Sequence, residues 1–144
     1  MSFKTPLSIL LGSLLLLGST ATLSANSTKK AQSKPFLIQG KLPHLTMMVK
    51  MMWEDKDLAL TPAQKQKLLK IRRDTISGAQ KLNQEIMALE DKIVKASNDG
   101  VNPESLKKDV FKLADLRAEA TMLHLNCIYK TRKILTQDQL DILE

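Results

Sequence analysis

The sequence has one cysteine, Cys127, so no internal disulfide can staple it. In an oxidising compartment a lone thiol is buried, metal-bound or paired with another chain, and burial is the commonest state. Aromatic residues are scarce too. Beyond residue 35 only Phe36, Trp53, Phe111 and Tyr129 offer stacking surfaces. That is a poor platform for single-stranded nucleic acid, despite a formal net charge of +7. The sequence contains no glycine-rich phosphate loop, nucleophile elbow or His-x-x-x-His pair. Glu85, Glu90, Asp91 and Glu119 stand among cations at helical spacings, the pattern of surface ion pairs. No catalytic set emerges, and the chain reads as a non-enzyme. No strand pattern of alternating polarity occurs either.

Long apolar runs are also missing. The most apolar stretch, Pro6 to Gly18, is Leu-rich, preceded by Lys4 and followed by small residues. It falls short of the ~20 residues a membrane helix needs and has the length of a signal-peptide core. Ser19-Thr20-Ala21 and Leu23-Ser24-Ala25 fit a small-x-small rule, so cleavage is expected after residue 21 or 25. Residues 1–25 are then a signal peptide and 26–41 a flexible mature N-terminus rich in Ser, Thr, Lys and Gln. Residues 42–144 form the folded domain. The expectation is an exported protein with no membrane span in its mature form and no nucleic-acid partner. Loss of Lys4 with the leader leaves a charge of about +6.

Helix signals dominate what remains. In Leu60-Thr61-Pro62-Ala63-Gln64, Thr61 reads as an N-cap, Pro62 as the first helical residue and Gln64 as the third. Together they make a capping box with proline where its missing N–H costs nothing. Leu68, Ile71, Thr75, Ala79, Leu82, Ile86, Leu89 and Ile93 then recur in steps of three and four, predicting a helix over 62–97. Ser97-Asn98-Asp99-Gly100 ends it. Asn102-Pro103 starts a third helix over 103–133, with a seam of Leu106, Val110, Leu113, Leu116, Ala120, Leu123 and Cys127. The short connection makes the two an antiparallel αα-hairpin. Gly78, mid-helix, marks a bend or close packing.

Upstream, Pro43 opens a short helix expected over 43–57. Leu45, Val49, Met52 and Trp53 form one apolar face, and His44, Met47, Met48 and Met51 form a second beside it. That second face exceeds what packing on one neighbour requires. Downstream, Leu135-Thr136-Gln137-Asp138-Gln139 repeats the opening motif and starts a closing helix over 137–143.

Two Leu-Thr-x-x-Gln motifs in an exported all-helical chain make the sequence resemble the periplasmic LTxxQ family of Spy- and CpxP-like chaperones and stress adaptors, to which ZraP is related. Leu60, Thr61 and Gln64 match the first motif, and Leu135, Thr136 and Gln139 the second. The resemblance implies a four-helix protein in the periplasm whose extended hairpins pair into a curved antiparallel homodimer. It also implies ATP-independent binding of unfolded or misfolded envelope proteins, or a stress signal passed to a sensor kinase, with the motif residues serving as structural caps. Unlike a zinc-binding relative, the chain has no histidine-rich segment, only His44 and His124.

On this reading the client surface is basic and partly apolar. Lys65, Lys67, Arg72, Arg73, Lys107, Lys108, Lys112 and Arg117 supply the charge, and Met47 and Met51 supply adaptable apolar contact. No cofactor is required. The alternative is an exported sensor or buffer of a soft ion such as Cu(I), for which His44, Met48, His124 and Cys127 are the candidate ligands.

Overall fold

Thr61 and Gln64 form the capping box expected of them. The Gln64 N–H donates to Thr61 Oγ1 at 3.2 Å, and the Thr61 N–H donates to Gln64 Oε1 at 3.0 Å. With Pro62 in the first position, α2 runs Pro62–Asn98, roughly 55 Å at ~1.5 Å per residue. Gly100, at φ +76°, turns the chain out of it, and the Val101 N–H reaches back to the Ala96 carbonyl at 3.0 Å. Asn102 Oδ1 accepts the Glu104 N–H at 3.0 Å and starts α3, Pro103–Arg132. The computed structural model describes residues 35–38 and 40–143, within the compact unit Ser33–Glu144. The signal peptide, its cleavage sites and most of the flexible segment expected from the sequence lie outside the described residues.

Two short helices flank the hairpin, α1 at Leu45–Met51 and α4 at Gln137–Leu143. The described residues are all-helical with no strand, as the sequence leads one to expect. The helix expected over 43–57 is shorter, because the chain turns after Met52. Asp55 Oδ1 accepts the N–H groups of Asp57 and Leu58, at 2.8 and 3.1 Å, and Ala59 takes a φ of +44°. That side-chain acceptor offers the backbone an alternative to helix. The turn also drives Leu58 and Leu60 into the core. Met52 and Trp53 still pack on that core, but from the turn rather than from a helical face.

Among the described residues there are two clusters of buried apolar side chains. The first joins Leu45 and Val49 of α1, Leu58, Leu60, Leu68 and Leu135 to Leu140 and Leu143 of α4. The second, Ile86 with Leu116 and Ala120, lies along the hairpin. Most of the expected seam is buried or half-buried; the exception is Val110, which is half exposed. Gly78 serves close packing: a Cβ there would stand 2.9 Å from Leu123 Cδ2. Within the stretch read as flexible, Phe36 packs on the second cluster and the Leu37 N–H donates to Thr121 Oγ1 at 2.8 Å.

Candidate interaction surface

The two motifs meet. Gln64 Nε2 donates to Gln139 Oε1 at 2.8 Å and to the Ile134 carbonyl at 3.0 Å, while Gln139 Nε2 donates to the Leu58 carbonyl at 2.8 Å. Gln139 Oε1 also accepts the Thr136 N–H at 3.1 Å, so each glutamine caps its own helix with its oxygen and binds the other motif's strand of chain with its nitrogen. This knot ties the start of α2 to the start of α4 and fixes both ends of the hairpin at one place. Its groups are all engaged with one another, which suits a structural role for Leu60, Thr61, Gln64, Leu135, Thr136 and Gln139.

The expected basic residues are not all alike. Lys67, Arg73, Lys108 and Lys112 are exposed and Arg72 is half-buried. Lys107 lies 3.7 Å from Glu104, and Lys65 pairs with Glu54 at 2.9 Å while sitting over the Trp53 ring. Arg117 differs from the rest. Its guanidinium is largely buried and bridges to Glu90 on α2, so it clips the two long helices together. A second bridge, Lys92 to Asp109 at 2.7 Å, does the same nearer the turn.

The two apolar contact residues named from the sequence, Met47 and Met51, both belong to α1, whereas the long helices expose apolar side chains among their cations that the sequence does not single out. On α2, Leu69, Ile76, Met87 and Val94 are exposed off the seam, and their spacings of 7, 11 and 7 residues place them on one line. On α3, Phe111, Met122 and Tyr129 repeat the device with spacings of 11 and 7. Each long helix thus carries a buried seam and, along a separate line, a solvent-facing stripe of apolar residues spaced two to three turns apart with polar residues between them. The signal was present as a second period beside the first, but nothing in a single sequence says which stripe faces a partner helix.

On α1 the second face divides. Met48 is drawn half-buried onto the first core, and His44 stacks on His124. Met47 and Met51 remain open, the latter 80 % exposed, and His44 keeps an exposed edge despite its stack. His124, buried in α3, is held between rings, with Phe36 at 5.1 Å and His44 at 4.9 Å between centroids. Burial first, and the neighbouring His44 second, hold the His124 imidazole below its ordinary value of 6.5; a hydrogen bond to the Pro43 carbonyl opposes them. Its Nδ1 has no hydrogen-bond partner among the described residues.

The candidate metal ligands are therefore only partly assembled. His44 and His124 lie together with 20° between ring planes, but ring lone pairs lie in those planes, so near-parallel stacked imidazoles do not aim at a common point. Cys127 is buried with Sγ 3.8 Å from Thr46 Oγ1. Among the described residues no group of three or more His, Cys, Asp or Glu side chains is placed to hold an ion. As placed, His44, His124 and Cys127 do not converge as a set of three ligands.

No known protein-family model, curated protein or solved structure matches the chain. Its functional reading therefore rests on the surface itself. Among the described residues no helix is long and apolar enough to cross a membrane. The surface offers two parallel kinds of contact, exposed cations for long-range attraction and exposed apolar stripes for close contact.

Proposed function

We propose that the protein is an exported, periplasmic, ATP-independent chaperone or stress adaptor of the LTxxQ type, working as a homodimer. The observation that carries this reading is the pair of solvent-facing apolar stripes on α2 and α3, interspersed with exposed Lys and Arg. An unfolded chain presents scattered apolar side chains and local negative charge. The cations raise the encounter rate with acidic segments and the stripes hold what arrives. Apolar side chains spaced along one line of an otherwise charged helix also suit a second copy, so one stripe serves the dimer and the other remains for clients. The knot of the two motifs keeps the scaffold rigid beneath. Whether a sensor kinase reads the occupied state is a further part of the proposal, resting on the resemblance alone.

The test is suppression of aggregation of an unrelated unfolding protein by the mature chain without nucleotide. Suppression that weakens with salt, and again in Lys67→Glu/Arg73→Glu/Lys108→Glu/Lys112→Glu, is the expected result. Absent suppression, or suppression indifferent to these reversals, overturns the mechanism.

The soft-ion alternative has one feature in its favour, the unpartnered Nδ1 of buried His124 beside His44. It requires the His44 ring to turn out of its stack. A Cu(I) competition titration showing tight stoichiometric binding, lost in Met48→Leu and Cys127→Ser, would make the metal role primary.

A further inference from the structure

A cleft of about 250 Å³ lies between α1 and the first turns of α2. Its apolar lining is Val49 and Leu68, both buried, with the half-buried Trp53 and the half-exposed Leu69. Lys50 and Arg72 also line it. Their neighbours are neutralised, Lys65 by Glu54 at 2.9 Å and Lys70 by Asp74 at 2.6 Å. Lys50 and Arg72 have no carboxylate partner among the described residues. The cleft is thus an apolar hollow flanked by two uncompensated positive charges.

We propose that this cleft takes one large apolar side chain of an unfolded protein whose adjoining residues are Asp or Glu. The inference rests on the client-binding reading above and gives it a specific subsite. Size selects the occupant: the cleft is smaller than the ~300–1,000 Å³ of a typical small-molecule site, so it suits a single side chain better than a cofactor. Lining selects its chemistry, since indole and aliphatic walls reward apolar contact. Charge selects its neighbours. Two cations on opposite elements, one on α1 and one on α2, can meet carboxylates on either side of the inserted residue. An extended client segment turns alternate side chains to opposite faces, and the charged groups flanking the inserted one are long enough to swing back to the rim.

Trp53 is the chain's one tryptophan, so its emission reports on the cleft directly. The experiment titrates the full mature chain with blocked heptapeptides carrying leucine between two glutamates, leucine between two glutamines, or glycine between two glutamates. Expected are a saturable shift in Trp53 emission with the first, binding at least tenfold weaker with the second, and no response to the third. In Lys50→Glu/Arg72→Glu the order should invert in favour of a lysine-flanked leucine, with far-ultraviolet circular dichroism confirming an unchanged helical fold. Equal binding of the glutamate and glutamine peptides overturns the proposal. So does silence toward every peptide, or saturation by octanoate with no peptide response, which would mark a site for small acids. Aggregation suppression on the same samples separates the two readings. Suppression with no peptide response leaves the chaperone and removes this subsite; the expected peptide response without suppression keeps the subsite and removes the chaperone.

Discussion

At the scale of single residues, Gln139 carries more than its size suggests. Its amide serves a carbonyl of the segment before α2, the N–H of its own cap and the side chain of Gln64, all at one buried point. Gln139→Ala leaves the Leu58 carbonyl without its partner, a loss of about 1–3 kcal/mol when buried, uncaps the Thr136 N–H and takes one of its two acceptors from the Gln64 amide nitrogen. A loss of roughly 2–4 kcal/mol is expected in urea unfolding, on the same per-group scale. Gln64→Ala should cost less, because it is half-exposed. A double-mutant cycle should return a coupling of about 0.5–3 kcal/mol, and additive losses would show that the two caps act separately.

His124 makes a second prediction, on pH. Its folded-state pKa is depressed by burial first and by His44 second, against the pull of the Pro43 carbonyl. Above its ordinary 6.5 both the folded and unfolded imidazoles are neutral, and the group adds no pH dependence. Below that value the unfolded chain takes up the proton first, so stability falls as pH drops from about 6.5 toward the lower folded value. Thermal melts from pH 8 to 5 should show this decline, and His124→Gln should flatten it. A decline of the same slope in the variant would assign the effect to other groups.

At the scale of elements, the long helices begin and end where local chemistry says, and α1 does not. Thr61 with Pro62, Asn102 with Pro103, and Gly100 at positive φ set their boundaries within a few residues of chain. The stop of α1 at Met51 depends on Asp55 capturing two N–H groups, and on the burial of Leu58 and Leu60 that follows. A wheel drawn through Trp53 therefore overstates its helical faces. Gly78 tests the hairpin seam. Gly78→Ala gains about 1 kcal/mol of helix propensity, and its Cβ meets only the mobile end of Leu123, so the net change should stay below about 1 kcal/mol. Gly78→Ile puts a branched side chain into the same gap and should cost about 1–3 kcal/mol in chemical denaturation. If both are tolerated equally, the close approach to Leu123 is not fixed.

For the whole molecule, the proposed dimer follows from surface that two short flanking helices leave open. Val94 and Leu69 stand more than half exposed at opposite ends of the α2 stripe, and Phe111 and Tyr129 do so on α3. Sedimentation at micromolar concentration should give a dimer mass. Ile76→Glu/Val94→Glu should dissociate it if the α2 stripe is the contact, while Met122→Glu should then leave the mass unchanged and weaken aggregation suppression. A monomer at all concentrations would refute the pairing. On the first helix, Met47→Leu with Met51→Leu keeps volume and apolar character and should leave client binding nearly unchanged.

The sequence by itself determined that the folded chain is helical, where its long helices start and which residues form their mutual seam. Caps, proline placement and a three-to-four period act over one or two turns, so they are readable without knowing what lies far along the chain. Only the tertiary structure decided that the glutamines of the two motifs bind each other, that Arg117 serves Glu90 rather than open surface, and that His44 lies on His124. It also decided which of two apolar periods on each long helix is buried. Those outcomes join residues 27 to 80 positions apart, and local propensity carries no information about a partner at that distance.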